Sequence, residues 1–424
     1  MPIEEIKNRV FLNIAKSKKY KTNYISLGFL NNLSKEMASL CSLLVRVIKS
    51  SNNNDDNLIK VTKRLENLYG AKLKTLTKKV GETHLTYLSI EYLNSKYTLD
   101  GENIEKDIFA FLNDMLNNPY LPNGAFSEKT VATEKENLID SIKAKFDDKM
   151  MYSLDKCTEI MCSDEAYSAC ELGDIEIIKK ITPKALLEFY QQFINNSTVY
   201  INFCGSVNED YIKNEFKNLF SDNRNTTPLK TNVVYNKREV KTYLEKLPIA
   251  QGKLTLGFRT KVTAKDDEFI NLLLFNTVFG SSPNSRLFEN VREKLSLCYY
   301  CSSMVEKNKG VMFVYSGVES YNKEKAVEEI LFQLEDLKNG NISENELIVA
   351  KNHFRNTYKS LNDDNASMSL FNIGQFVANT NVLASELVSK VDSVTALDIK
   401  KIASEIYLDT EVFISSDKEE KTNE

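Results

Sequence analysis

Apolar residues in the first part of the chain switch period in a readable way. Segments 10–15 and 20–30 are rich in β-branched and aromatic residues and read as two strands, joined by the basic turn Lys16-Ser-Lys-Lys19. Ser34 then stands where a helix N-cap is needed. Beyond it Met37, Leu40, Cys41, Leu44, Val45 and Ile48 fall at i, i+3, i+4, i+7, i+8 and i+11, one continuous helical face. A polar loop, a second helix ending at Leu68-Tyr-Gly-Ala71 and a hairpin at 72–80 and 85–92 follow. Helices are predicted at 104–116 and from Ser127 toward Cys162, with Asp147-Asp148 as a break in the long one. Thr182-Pro183 opens a helix through 193, before a strand at 198–204 and a helix at 208–220.

The turn-rich stretch around Asp222-Asn-Arg-Asn-Thr-Thr-Pro228 reads as a linker, 222–237, between domains at 1–221 and 238–424. The second half starts with strands near 239–245 and 252–261 and a helix at 266–279. A helix at 286–295 follows, with Leu287, Val291 and Leu295 spaced by four, then strands at 299–306 and 310–317. Later helices begin near Lys323 and at Ser343, where Ser343 and Glu346 form a capping box, and the last fifteen residues read as a charged, frayed end.

The two halves echo each other. Phe126-Ser-Glu recurs as Ile342-Ser-Glu 216 residues later, and Ile181-Thr-Pro with Thr198-Val-Tyr-Ile recurs as Val394-Thr-Ala with Glu411-Val-Phe-Ile at an offset of 213. Matching offsets at separate places argue for a duplicated unit, and strands first, helices next and one late strand exclude regular βαβ winding. The expectation is an α+β protein of two homologous domains, each an antiparallel sheet backed by helices.

Composition narrows the function. Fifty-five basic residues are interspersed with 59 acidic ones for a net charge of −4, so no basic field points to nucleic acid. No apolar run approaches bilayer length, and the N-terminus lacks a basic region followed by an apolar core, so a cytoplasmic location is expected. Seven dispersed cysteines do not make a disulfide framework. Cys298 and Cys301 are the one tight pair, and in a regular strand they face opposite sides, so they are read as packing residues rather than a metal or redox couple.

The most informative stretch is Gly280-Ser-Ser-Pro-Asn-Ser-Arg-Leu-Phe-Glu-Asn-Val-Arg-Glu-Lys-Leu-Ser-Leu-Cys-Tyr299. It resembles the C-terminal signature S-S-R-L-F-x-x-V-R-E-x-x-G-L-A-Y-S of the insulinase/pitrilysin family of zinc metallopeptidases, in the branch of the mitochondrial processing peptidase. The resemblance implies two related halves closing like a clam shell over an extended peptide. It also implies that Arg286 and Tyr299 hold substrate: a guanidinium can clamp a carbonyl, and a phenol can donate to an oxygen gaining charge.

The metal half of that family's site is missing. Hydrolysing members carry H-x-x-E-H on the first helix, which puts two imidazoles on one face toward zinc with a glutamate beside them as base. Here that motif falls near Cys41-Ser-Leu-Leu-Val45, so Cys41, Leu44 and Val45 occupy its ligand and base positions. A one-residue slip gives 42–46, which supplies no better set. The third ligand's place falls at Ser141, and the only histidines, His84 and His353, lie elsewhere. No metal and no cofactor are therefore expected in this chain.

The resemblance implies a non-catalytic subunit that pairs with a zinc-bearing homologue, the peptide lying between the two. Tyr20-Lys-Thr-Asn, Arg64-Leu-Glu-Asn-Leu-Tyr-Gly-Ala71 and Lys78-Lys-Val-Gly-Glu-Thr-His84 are similar to the zinc-less bacterial subunits within the family. That likeness implies a link to modification of elongation factor P with 5-aminopentanol. The competing reading is a stand-alone peptide-binding or scaffold protein without a proteolytic role.

Overall fold

The computed structural model describes residues 3–417. Its strands are β1 (Glu4–Lys7), β2 (Val10–Lys16), β3 (Thr22–Asn32), β4 (Lys72–Val80), β5 (Thr83–Leu93) and β6 (Thr198–Gly205), then β7 (Lys241–Leu247), β8 (Gly252–Arg259), β9 (Cys298–Glu306), β10 (Val311–Val318) and β11 (Tyr407–Ser416). They form one sheet in the order β1-β2-β6-β3-β5-β4 and another in the order β7-β11-β8-β10-β9. With β1 set aside, the two orders match strand for strand. The duplicated α+β organisation is thus present.

Each sheet is mixed rather than purely antiparallel, because β6 runs parallel to β2 and β11 parallel to β7. In both, the odd strand is the one that returns after the helices, and a parallel neighbour requires such a long crossover. Of the last fifteen residues, read as a frayed end, those up to Ser416 instead lie within β11, between β7 and β8, and residues 418–424 lie outside the described residues.

The compact units differ from the contiguous halves 1–221 and 238–424. One consists of the chain up to Lys143, Ala169–Lys230 and Asn365–Ile373; the other of Ala144–Ser168, Thr231–Asp364 and the chain from Gly374 onward. Their last crossing near the middle, between Lys230 and Thr231, falls inside the segment read as a linker. The earlier switch, between Lys143 and Ala144, falls in the last turn of helix Glu128–Asp147, just before the break where Asp148 caps helix Lys149–Met161 through Met150 N and Met151 N.

In the first unit, Ile25, Leu27, Phe29, Leu88, Ile90, Ile201 and Phe203 share a core with Cys41, Leu44, Val47 and Ile48 of helix Lys35–Ser50. The opposite face carries Ser26, Tyr87 and Asn202, whose side chains lie 2.6, 3.1 and 2.9 Å from Ser369 Oγ on the borrowed segment. In the second unit, helix Lys149–Met161 crosses β8. Ser153 and Thr255 hydroxyls meet at 2.8 Å, and a Cβ on Gly257 would lie 2.8 Å from Met161 Sδ and 2.9 Å from Cys157 Sγ. Glycine is what allows that approach.

The same segment carries Glu165 into a buried charge cluster. Arg259 donates to Glu165 at 2.7 Å and to Asp409 at 3.1 Å, and Lys309 pairs with Glu165 from the other side. Two cations balance two carboxylates, the condition for burying any of them. Among the described residues no helix is long and apolar enough to cross a membrane.

Candidate functional site

The signature stretch departs from ordinary helix in a way its residue spacing conceals. A π-helical turn at Thr277–Ser281 brings Gly280 against β9, where a Cβ would sit 2.4 Å from Ser303 Oγ. A second π-helical segment follows at Leu287–Lys294, closed by Leu295 N donating to Asn290 O at 3.1 Å. That i→i+5 spacing turns through less angle per residue than an α-helix. Leu287 and Val291 stay buried, whereas Leu295 rotates off the face and is 49% exposed. Ser296 then takes a left-handed φ of 49°, at the position where the resembled signature has glycine.

The chain enters β9 through a bulge. Cys298 pairs with Val318, Tyr300 with Gly317 and Cys301 with Ser316, leaving Tyr299 as the extra residue. Tyr299 is 68% exposed on an edge strand. Tyr300 packs to the other side, over Gly317 and 6.3 Å from the Tyr315 ring.

Arg286 does not join Tyr299. It is 7% exposed and donates from Nη1 to Asp336 at 2.7 Å, from Nε to Glu346 at 2.8 Å and from Nη2 to the Asn341 carbonyl. Glu346 is also half of the capping box at Ser343. Arg286 thus ties the turn between helices Lys323–Asn339 and Glu344–Ser360 to the signature helix. Its assignment as a peptide clamp is corrected, because its donors are directed at internal acceptors. Burial works against the Glu346 charge, but hydrogen bonds from Arg286 and Ser343 outweigh it and hold the carboxyl below its ordinary range.

Sequence reasoning passed over Arg292 in the same motif. Its side chain is 41% exposed, stacks 4.6 Å over the Phe288 ring and lies 3.5 Å from Glu293. Its charge acts on the Cys298 thiol, the neighbour of Tyr299. The sequence does not separate the two arginines, since each adjoins a buried apolar residue, Arg286 next to Leu287 and Arg292 next to Val291.

In the other compact unit, the degenerate metal positions are core. Cys41 is fully buried, its Sγ 3.6 Å from Met37 Sδ, and burial pushes its thiol up to about 12 despite a hydrogen bond from Thr86. Leu44 and Val45 are buried beside it. Ser141 is reached by Arg46, from Nη2 at 3.1 Å, while its own hydroxyl donates to Asn137 O at 2.7 Å. The two helices of the degenerate motif therefore meet through a guanidinium and a hydroxyl, which leaves no lone-pair donor set for a cation. Among the described residues no group of three or more His, Cys, Asp and Glu side chains is placed to hold a metal ion.

His84 is buried on β5 with Nε2 2.9 Å from the Glu171 carbonyl, an atom that can only accept, so the Nε2–H tautomer is set. Burial pulls its pKa down to about 4. His353 lies half-buried on helix Glu344–Ser360.

Comparison with known proteins gives a consistent picture. A family model described as the peptidase M16 inactive domain matches residues 180–354. The probable inactive metalloprotease YmfF of Bacillus subtilis is 30% identical over 416 residues, 97% of this chain and 98% of that protein. A zinc protease of Rickettsia felis is 24% identical over 237 residues, 55% of this chain and 57% of its own length. Among solved structures, a conserved protein from Enterococcus faecalis superposes with a TM-score of 0.89 at 27% identity, covering 98% of each chain. A peptidase M16 inactive domain from Pseudomonas fluorescens superposes at 0.81 with 14% identity, again over 98% of each.

Proposed function

Because the chain belongs to the M16 peptidase family and stands with its inactive members, we propose that it is the non-catalytic subunit of a heterodimeric zinc metallopeptidase. In this reading a homologous partner carries the zinc, and this chain binds an extended peptide and offers Tyr299 and Arg292 to it. The observation that carries the reading is the bulge at Tyr299, which lifts a phenol out of an edge strand next in sequence to Cys298, the thiol on which the half-exposed Arg292 guanidinium acts. A bulge is a device for re-aiming a side chain, and a phenol and a guanidinium both donate to an oxygen that gains charge.

Cys41, Leu44 and Val45 support the other half of the reading, since a helix face filled with apolar side chains has no use for a metal. The link to elongation factor P is a finer part of the same proposal, and deletion of the gene is expected to leave that factor without its 5-aminopentanol group.

The direct test is reconstitution with the zinc-bearing homologue. Tyr299→Phe and Arg292→Ala are each expected to lower kcat/KM of the pair roughly ten- to a thousandfold, the range of a lost transition-state donor. Both side chains are exposed, so both variants should fold. Turnover at the parental level in both would remove their assigned role, and failure to bind any such homologue would favour a stand-alone peptide-binding or scaffold protein.

A further inference from the structure

We infer that Cys298 and Cys301 form a redox-active dithiol that closes to a disulfide when hydrogen peroxide reaches it. The sequence spacing alone argues against this, because positions three apart in a regular strand point to opposite faces. The bulge reverses that. Cys298 is opposite Val318 and Cys301 is opposite Ser316, two residues apart on β10, so both thiols lie on one face, with Tyr299 the extra residue between them. Partners two apart on a strand are about 7 Å from Cα to Cα, at the edge of the disulfide range, and an edge-strand bulge can yield the remainder.

The surroundings divide the labour between the two thiols. The two thiols are neighbours on that face, and Ser316, opposite Cys301, donates its hydroxyl to Tyr300 O at 2.8 Å. Cys298 is 9% exposed and Cys301 4%, so a peroxide molecule reaches the first more readily. The hydrogen bond from Cys301, helped by Ser316 and the charge of Arg292, draws the Cys298 thiol below its ordinary range against the effect of burial. The same hydrogen bond, with burial, pushes Cys301 well above the usual thiol range. Cys298 is the attacking sulfur and Cys301 the resolving one.

In the first step the Cys298 thiolate attacks one peroxide oxygen, the O–O bond breaks, and hydroxide leaves and is protonated to water. In the second the Cys301 sulfur attacks the sulfenic acid at Cys298. The S–O bond breaks, and the oxygen departs as water with the Cys301 proton. Two thiols and one peroxide become one disulfide and two waters. Because the bond spans the bulged residue, it alters the presentation of Tyr299; that consequence rests on the function proposed above.

The sequence provides a convenient assay, since trypsin cuts after Lys294 and Lys307 and the peptide between them holds these two cysteines and no other. The full chain is titrated with hydrogen peroxide, denatured, alkylated, digested without reductant and analysed by mass spectrometry. Expected is a joint loss of both alkylatable thiols, in a peptide lighter by two hydrogens and restored by dithiothreitol. In Cys301→Ser, Cys298 should be captured by dimedone as a sulfenic acid; in Cys298→Ser, Cys301 should remain alkylatable. Oxidation of Cys301 ahead of Cys298, irreversible oxidation of Cys298 beside an intact Cys301, or a bond between two chains would each overturn the proposal. Activity of the reduced pair tests the role of Tyr299 separately. Disulfide formation that leaves that activity unchanged would refute the coupling alone.

Discussion

Two arginines six residues apart show how much a single side chain's surroundings decide. Arg286 is enclosed by Asp336, Glu346 and the Asn341 carbonyl, so replacing it leaves two half-buried carboxylates facing each other. Arg286→Ala is expected to cost about 2 kcal/mol in chemical denaturation, less than a fully buried pair because both carboxylates keep some water. Arg292→Ala should leave stability within about 0.5 kcal/mol, as for an exposed surface group. His84 supplies the pH dependence. Its folded pKa of about 4 lies below the ordinary value of about 6.5, so the unfolded chain takes up the proton first as pH falls. Stability attributable to His84 is complete above about pH 6.5 and lost by about pH 4, a change of about 3 kcal/mol. Denaturation curves of His84→Gln, which can still donate to Glu171 O, should show a shallower decline across that window than the parent.

At the scale of elements, the signature region departs most from its periodicity. Leu287, Val291 and Leu295 are spaced for an α-helix, but the i→i+5 bond places Leu295 in solvent, and spacing cannot report which ring size the backbone will close. The bulge in β9 is equally silent in the residues, since it arises where Val318 and Gly317 of β10 accept three residues of β9. By contrast, caps at Ser34, Thr182 and Ser343 and the break before helix Lys149–Met161 were legible, because a capping side chain satisfies backbone donors within its own neighbourhood. That last helix lies on β8 only because Gly257 has no side chain there. Gly257→Ala is expected to lower stability by about 1–3 kcal/mol through overpacking against Cys157 and Met161, measured by thermal or urea unfolding.

Across the whole molecule, the duplication appears as a shared strand order and as an exchange of segments. The stretch Ala144–Ser168 belongs to the second unit and Asn365–Ile373 to the first, so neither half of the chain contains a complete unit. Residues 231–424 expressed alone lack Glu165, the carboxylate that meets both Arg259 and Lys309, and lack the helix that covers Thr255 and Gly257. That fragment is expected to be unfolded by circular dichroism and to gain structure when residues 1–230 are co-expressed. Independent folding of 231–424 would show that the exchange is dispensable.

The sequence by itself determined the elements, the repeat, the family and the loss of the zinc ligands, because periodicity, caps and a short motif are properties of neighbouring residues. Only the tertiary structure decided which arginine faces outward, that Cys298 and Cys301 share a face, and which unit each helix joins. Those outcomes depend on partners far along the chain: Asp336 and Glu346 for Arg286, the register of β10 for the cysteines, and Arg259 for Glu165. Local pattern carries no record of such partners until the chain has folded.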